Sequence, residues 1–137
     1  MSTNASKRAA VYAVSVMSLE HANINYSIGI SSIRVQGAWD RLAASKIDLS
    51  EKEVNDGYDV NLRIRITDTS GEMQTKLLSL WSQEVVCRLH SSDCVDRVLG
   101  TDDVPVTFRL SKKDNTQYYE LEYKGVQPEM AKILQSF

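Results

Sequence analysis

The stretch DRVLGTDDVPVTFRLSKKDNTQYYELEYKG, Asp96 to Gly125, decides the fold. It reads as turn, strand, turn, strand, turn. Val104, Val106, Phe108 and Leu110 alternate with Pro105, Thr107 and Arg109. Tyr119, Leu121 and Tyr123 alternate with Glu120 and Glu122. A period of two puts one apolar and one polar face on each strand. Between the two runs, Lys112 to Thr116 is a five-residue loop of turn formers, which predicts a hairpin.

The same period appears upstream. Tyr58, Val60, Leu62, Ile64 and Ile66 alternate with Asp59, Asn61, Arg63, Arg65 and Thr67, the cleanest strand in the chain. Asp56-Gly57 marks the turn before it. Ile24, Tyr26, Ile28 and Ile30 alternate with Asn23, Asn25, Ser27 and Gly29, and Ile33 and Val35 extend the pattern past a bulge or bend at Ser31 and Ser32. Ala9 to Met17 is apolar on both faces and predicts a strand buried on both sides, by its own chain or by a neighbouring subunit. Val85 to Leu89 predicts another strand. Trp39, Leu42 and Ala43 suit a short helix, and Lys46 to Asp56 reads as a polar loop.

Two segments change period. Met73, Leu77, Leu80 and Trp81 share one helical face, with Thr69 and Glu72 spaced as a capping box. Met130, Ile133, Leu134 and Phe137 repeat at helical spacing behind Pro128. The expectation is a mainly β fold of about six antiparallel strands. It is a β-sandwich or a partly open antiparallel barrel, with one packed central helix and a short C-terminal helix. At 137 residues, with no repeat and no linker, residues 1–137 form a single domain.

Composition narrows the function. Sixteen basic and 18 acidic residues give a net charge of −2. A nucleic-acid binder held by phosphates needs a surplus of Lys and Arg, so specific nucleic-acid binding is not expected, although a local patch remains open. No apolar run approaches the length that spans a bilayer, so no membrane partner is expected. KRAAVYAVSVMSLEH begins like a leader, but Ser15 and Ser18 interrupt the apolar run and no cleavage site follows cleanly. Two cysteines, Cys87 and Cys94, make no disulfide framework, so reduced thiols are the default.

The chemistry-bearing residues each have an ordinary reading. Cys87, His90 and Cys94 are spaced C-x2-H-x3-C, with His21, Asp93 or Asp96 as a fourth ligand for zinc. On a strand, Cys87 and His90 point to opposite faces, which spoils chelation. Asp93, Asp96, Asp102 and Asp103 gather round Gly100 but do not follow the calcium-loop order, and turn formation explains them. A Cys nucleophile with His21 or His90 as base has no flanking feature to activate the thiolate. No phosphate loop, dinucleotide fingerprint or hydrolase elbow is present. Tyr118, Tyr119 and Tyr123 near Lys112, Lys113 and Lys124 resemble a base-stacking platform, but Tyr119 and Tyr123 fall on the apolar face, and Glu120 and Glu122 repel phosphate. No catalytic residue, cofactor or metal is expected.

The segment Leu77 to Gly125 resembles small virion structural proteins of tailed phages and prophages, particularly those of gut Bacteroidetes. The likeness rests on a leucine-rich helix, the strand VVCRLH, the element RVLGTDDVPV and a strand pair ending in YYELEYKG. It covers about a third of the chain. It implies a tail-tube, tail-terminator or connector subunit, located in the virion and assembled in the host cytoplasm. Such subunits form rings with copies of themselves and other virion proteins, with DNA passing nearby, through strand addition, loops and swapped termini. On this reading the contacts are Val11, Tyr12, Val14, Met130, Ile133 and Phe137, with Lys112, Lys113, Asp114 and Asn115 of the hairpin loop. The chain lacks an obvious long inserted hairpin of the kind that lines a tube, which favours a terminator, connector or accessory role. The alternative is a monomeric β-barrel binding or adaptor module whose terminal apolar residues fold back on their own chain.

Overall fold

The computed structural model describes residues 10–27, 29–81, 83–113 and 117–135, with only the backbone of Trp81. Ala9, Ile28, Asp114, Asn115 and Phe137, singled out above, lie outside the described residues, as does the Trp81 side chain. Among the described residues, eleven strands and one α-helix run in the order β1 (Val11–Ser18), β2 (Asn23–Tyr26), β3 (Ser32–Gln36), β4 (Asp40–Arg41), β5 (Lys46–Val54), β6 (Gly57–Ile66), α1 (Gly71–Trp81), β7 (Val85–Ser91), β8 (Arg97–Leu99), β9 (Arg109–Lys113), β10 (Tyr118–Gln127) and β11 (Lys132–Leu134). The fold is mainly β, in two sheets with no closed barrel.

The first sheet has the order β2-β3-β11-β8-β7-β1-β4, the second β5-β6-β10-β9. The expected alternation fixes the second sheet. Val60, Leu62, Ile64 and Ile66 on β6 are fully buried, and their β10 partners Leu121, Tyr119 and Tyr123 are buried beside them. From the facing sheet, Val14, Val16, Val85, Cys87, Leu89 and Leu99 complete this core, and Leu77 and Leu80 of α1 close it. Burying a side chain of this size contributes roughly 1.5–3 kcal/mol, so this layer dominates stability.

The first sheet is strongly curled, and chain length shows why. β1 and β2 are five strand spacings apart in the sheet, about 24 Å if flat. Yet only residues 19–22 join them, and Ser18 to Asn23 spans at most about 18 Å fully extended. The sheet therefore bends its β2–β3 end back. The hollow holds a second core of Met17, Ile33, Val35, Val86 and Val98. β1 separates the two cores: Val14 and Val16 face one, Met17 the other. The strand buried on both faces is thus covered by its own chain.

Several expectations are corrected. The short C-terminal helix is absent from the described residues; Lys132–Leu134 is β11, parallel to β3 and antiparallel to β8. The pairing satisfies backbone groups on two neighbours at once, which overrides the helical spacing of Met130, Ile133 and Leu134. It also makes one strand pair parallel. Asn23 to Val35 is a hairpin of two strands, not one bulged strand. The short helix at Trp39 is instead β4, held to β1 by pairs Ser15 with Arg41 and Val16 with Asp40. Of the expected polar loop Lys46–Asp56, Lys46–Val54 is β5, paired along its length with β6, and only Asn55 and Asp56 form the turn. Pro105 offers no N–H, so Val104–Phe108 reduces to a bridge between Val106 and Val85, and Arg97–Leu99 takes the strand role. Ser70, not Thr69, caps α1: its Oγ accepts the Met73 N–H at 3.3 Å, and Asp68 in turn accepts the Ser70 N–H at 2.9 Å.

Candidate functional site

Two places in the fold concentrate chemistry. The first is a polar cluster on the curled sheet. β7 pairs with β1 so that Arg88 lies opposite Ser15 and His90 opposite Ala13. Ser15 Oγ lies 2.9 Å from His90 Nε2. His90 Nδ1 is 3.5 Å from Asp96 Oδ2. Arg88 donates to that same oxygen from Nε at 2.8 Å and Nη2 at 2.5 Å. Burial lowers the His90 pKa, Asp96 partly opposing this, which favours the neutral ring; in the tautomer with Nδ1–H toward Asp96, Nε2 accepts a hydrogen bond from the Ser15 hydroxyl.

In atom order this is the serine, histidine, carboxylate arrangement of acyl transfer. Its setting works against that chemistry. Ser15 is 3% exposed, mid-strand between β7 and β4. Ser15 and Val16 are paired with β7 on one side and β4 on the other, which commits their backbone to the two ladders. Asp96 serves Arg88 at shorter range than it serves His90. The cluster works as a latch joining β1, β7 and the 93–96 turn. No local motif marks it, because Ser15 and His90 are 75 positions apart.

The residues weighed for metal do not converge. Cys87 is buried, burial pushing its thiol pKa far up, while Cys94 is exposed in a turn with φ 64°. Among the described residues no three His, Cys, Asp or Glu side chains form a metal-binding group. Asp93 accepts the Val95 N–H at 3.0 Å, and that bond holds its carboxyl below the usual range. Asp103 takes the Tyr26 hydroxyl.

The second place is the outer face and open edge of the β5-β6-β10-β9 sheet. Register puts Asp48, Arg63, Glu122 and Arg109 in one row across all four strands, with signs alternating. Arg63 Nε meets Glu122 at 3.1 Å. Tyr118 lies on this face under the Arg65 guanidinium, 4.2 Å from the ring centre. Lys46, Lys52, Arg63, Arg65, Arg109, Lys113 and Lys124 oppose Asp48, Asp59, Glu120 and Glu122, a local surplus of three positive charges. At the β5 edge, no described backbone group of Lys46–Val54 bonds to any strand but β6.

The expected contact residues divide. Val14 is fully buried in its own subunit's core and is withdrawn as a contact. Val11 packs against that core, and Met130 is half-buried. Tyr12 and Ile133 are exposed, at 61% and 41%, and Lys112 is exposed beside half-buried Lys113. Among the described residues no helix is long and apolar enough to cross a membrane. No family model matches the chain, and no curated protein or solved structure matches it.

Proposed function

We propose that the protein is a structural subunit of a phage or phage-like particle, a tail or connector component that works in a ring through contacts with copies of itself and with other particle proteins. The observation that carries this reading is the open edge of β5. It is nine residues long, has no proline or bulge, and offers a row of backbone donors and acceptors. Such an edge invites strand addition. The charged outer face beside it suits contacts in which alternating signs set register. Its positive surplus is interleaved with carboxylates, which suits DNA passing without tight binding.

A self-contained binding or adaptor module is the second reading. The placement of β1 and β11 inside their own chain's sheet supports it. Light scattering behind size exclusion, across concentration, with negative-stain images of the main peak, separates the two. Rings support the structural role. A species of 15.4 kDa at every concentration, alone and with candidate particle proteins, overturns it.

A further inference from the structure

The side chains that β5 presents on the outer face are, in order, Lys46, Asp48, Ser50, Lys52 and Val54. Asp48 and Lys52 stand two residues on either side of Ser50. Among the described residues neither enters an ion pair within the chain. We infer that β5 is a homotypic docking edge: two copies pair antiparallel through β5 about a two-fold axis at Ser50, joining their sheets into one. This rests on the self-association proposed above and names its partner and register: the two-fold pair is closed, so β5 supplies a dimer contact and a ring of such dimers uses a second surface.

The charges select this arrangement. An antiparallel pair with its axis normal to the sheet keeps outer faces together, so only registers centred on a residue are allowed. Centred on Ser50, Asp48 faces Lys52 of the second copy, and the reverse pair repeats the contact. Centred on Leu49, Lys46 faces Lys52. Centred on Glu51, that carboxylate faces itself. Parallel pairing in register sets Asp48 against Asp48. Like charges directly opposite destabilise a strand pair. The chosen register also continues the row already built within each chain: Arg109, Glu122, Arg63 and Asp48 of one copy run into Lys52 and Asp59 of the next, with signs alternating throughout.

The test uses the full chain with Cys94→Ser, leaving only buried Cys87. Residues directly opposite across an antiparallel pair lie within disulfide range, about 4.4–6.8 Å between Cα atoms. Asp48→Cys mixed with Lys52→Cys is expected to give an oxidised dimer, and neither alone is. Ser50→Cys, on the axis, is expected to cross-link to itself. On the unsubstituted chain, hydrogen exchange at residues 46–54 is expected to slow as concentration rises. Self-linking of Asp48→Cys overturns the antiparallel register. No cross-link in any variant, with β5 exchange independent of concentration, overturns the docking edge. If light scattering still finds assembly, only this inference falls; if the chain stays monomeric, the proposed function falls with it.

Discussion

The Lys132 ammonium lies 2.6 Å from Glu129 Oε2, and the other oxygen of that carboxylate accepts the Gly29 N–H at 2.8 Å. The ammonium also donates to the carbonyls of Ser27, at 3.0 Å, and Ile30. Three donors thus meet three acceptors around a side chain only 6% exposed, so a buried lysine is satisfied. The cluster ties β11 to the turn between β2 and β3. In Lys132→Met, Glu129 and two carbonyls lose their donor. The expected loss is roughly 2–3 kcal/mol in urea unfolding, below the range for a fully buried pair because Glu129 stays part-exposed. Exchange at residues 29–31 should rise with it. Unchanged stability and exchange would show the contacts to be ornamental.

The same carboxylate gives an acid signature. The Lys132 hydrogen bond, then that from Gly29, holds the Glu129 pKa below its ordinary value. A depressed folded-state pKa means that the unfolded chain binds the proton more readily, so the contribution is present above the unfolded value and lost as pH falls through the folded one. Thermal midpoints should therefore drop below about pH 4.3, the ordinary glutamate value. Glu129→Gln should flatten that part of the profile.

His90 acts in a higher window. Burial is the main cause of its lowered pKa. The folded state prefers the neutral ring, the unfolded chain takes the proton first, and stability rises with pH across the interval. The latch is intact above about pH 6.5 and weakens as pH falls below it. His90→Gln should remove this slope while leaving the Glu129 slope in place. Midpoints between about pH 3 and pH 8 read both, spanning the ordinary glutamate and histidine values of about 4.3 and 6.5. A His90→Gln profile that overlays the parent overturns the latch.

What was legible in the sequence was whatever a period of two or a run of apolar residues writes locally. β6, β7 and β10 could be read because each carries its core face in its own residues, Val60 to Ile66 being the clearest. β5 reads as a loop in the sequence because Glu51, Lys52, Glu53 and the Asp56-Gly57 turn mask the alternation of Ile47 and Leu49, which becomes decisive only beside β6. β11 could not be read: its three residues are a strand only because β3 and β8 leave a gap between them. The Ser15 latch was invisible for the same reason, being made by pairing between distant segments. The open edge is likewise a property of topology and of no single residue.

The two cysteines should separate cleanly. Cys94 is exposed, and Cys87 is fully buried with its thiol held protonated. A thiol reagent needs a reachable thiolate. The folded chain should therefore titrate one thiol, and the second should appear only with the unfolding transition. Two fast thiols in the native state would contradict the packing of Cys87 between β7 and the main core.

Gly57 opens β6 with φ 144°, a conformation that favours glycine. A Cβ there would collide with the Gln127 carbonyl oxygen and crowd the Pro128 Cα. Those atoms are backbone, and Gln127 is itself held by bonds from its Nε2 to the Val104 carbonyl, at 3.1 Å, and to the Tyr123 hydroxyl oxygen, at 2.8 Å. Neither side can yield cheaply. Gly57→Ala is therefore expected to destabilise by about 2 kcal/mol or more, through strain at φ and displacement of the β10 end together. Gly71, at the start of α1, has no atom within 4 Å of its would-be Cβ, so Gly71→Ala should be neutral or slightly stabilising. Urea midpoints of the two variants measured side by side decide the point. If Gly57→Ala behaves like Gly71→Ala, the close approach of β6 to the end of β10 is not what fixes that turn.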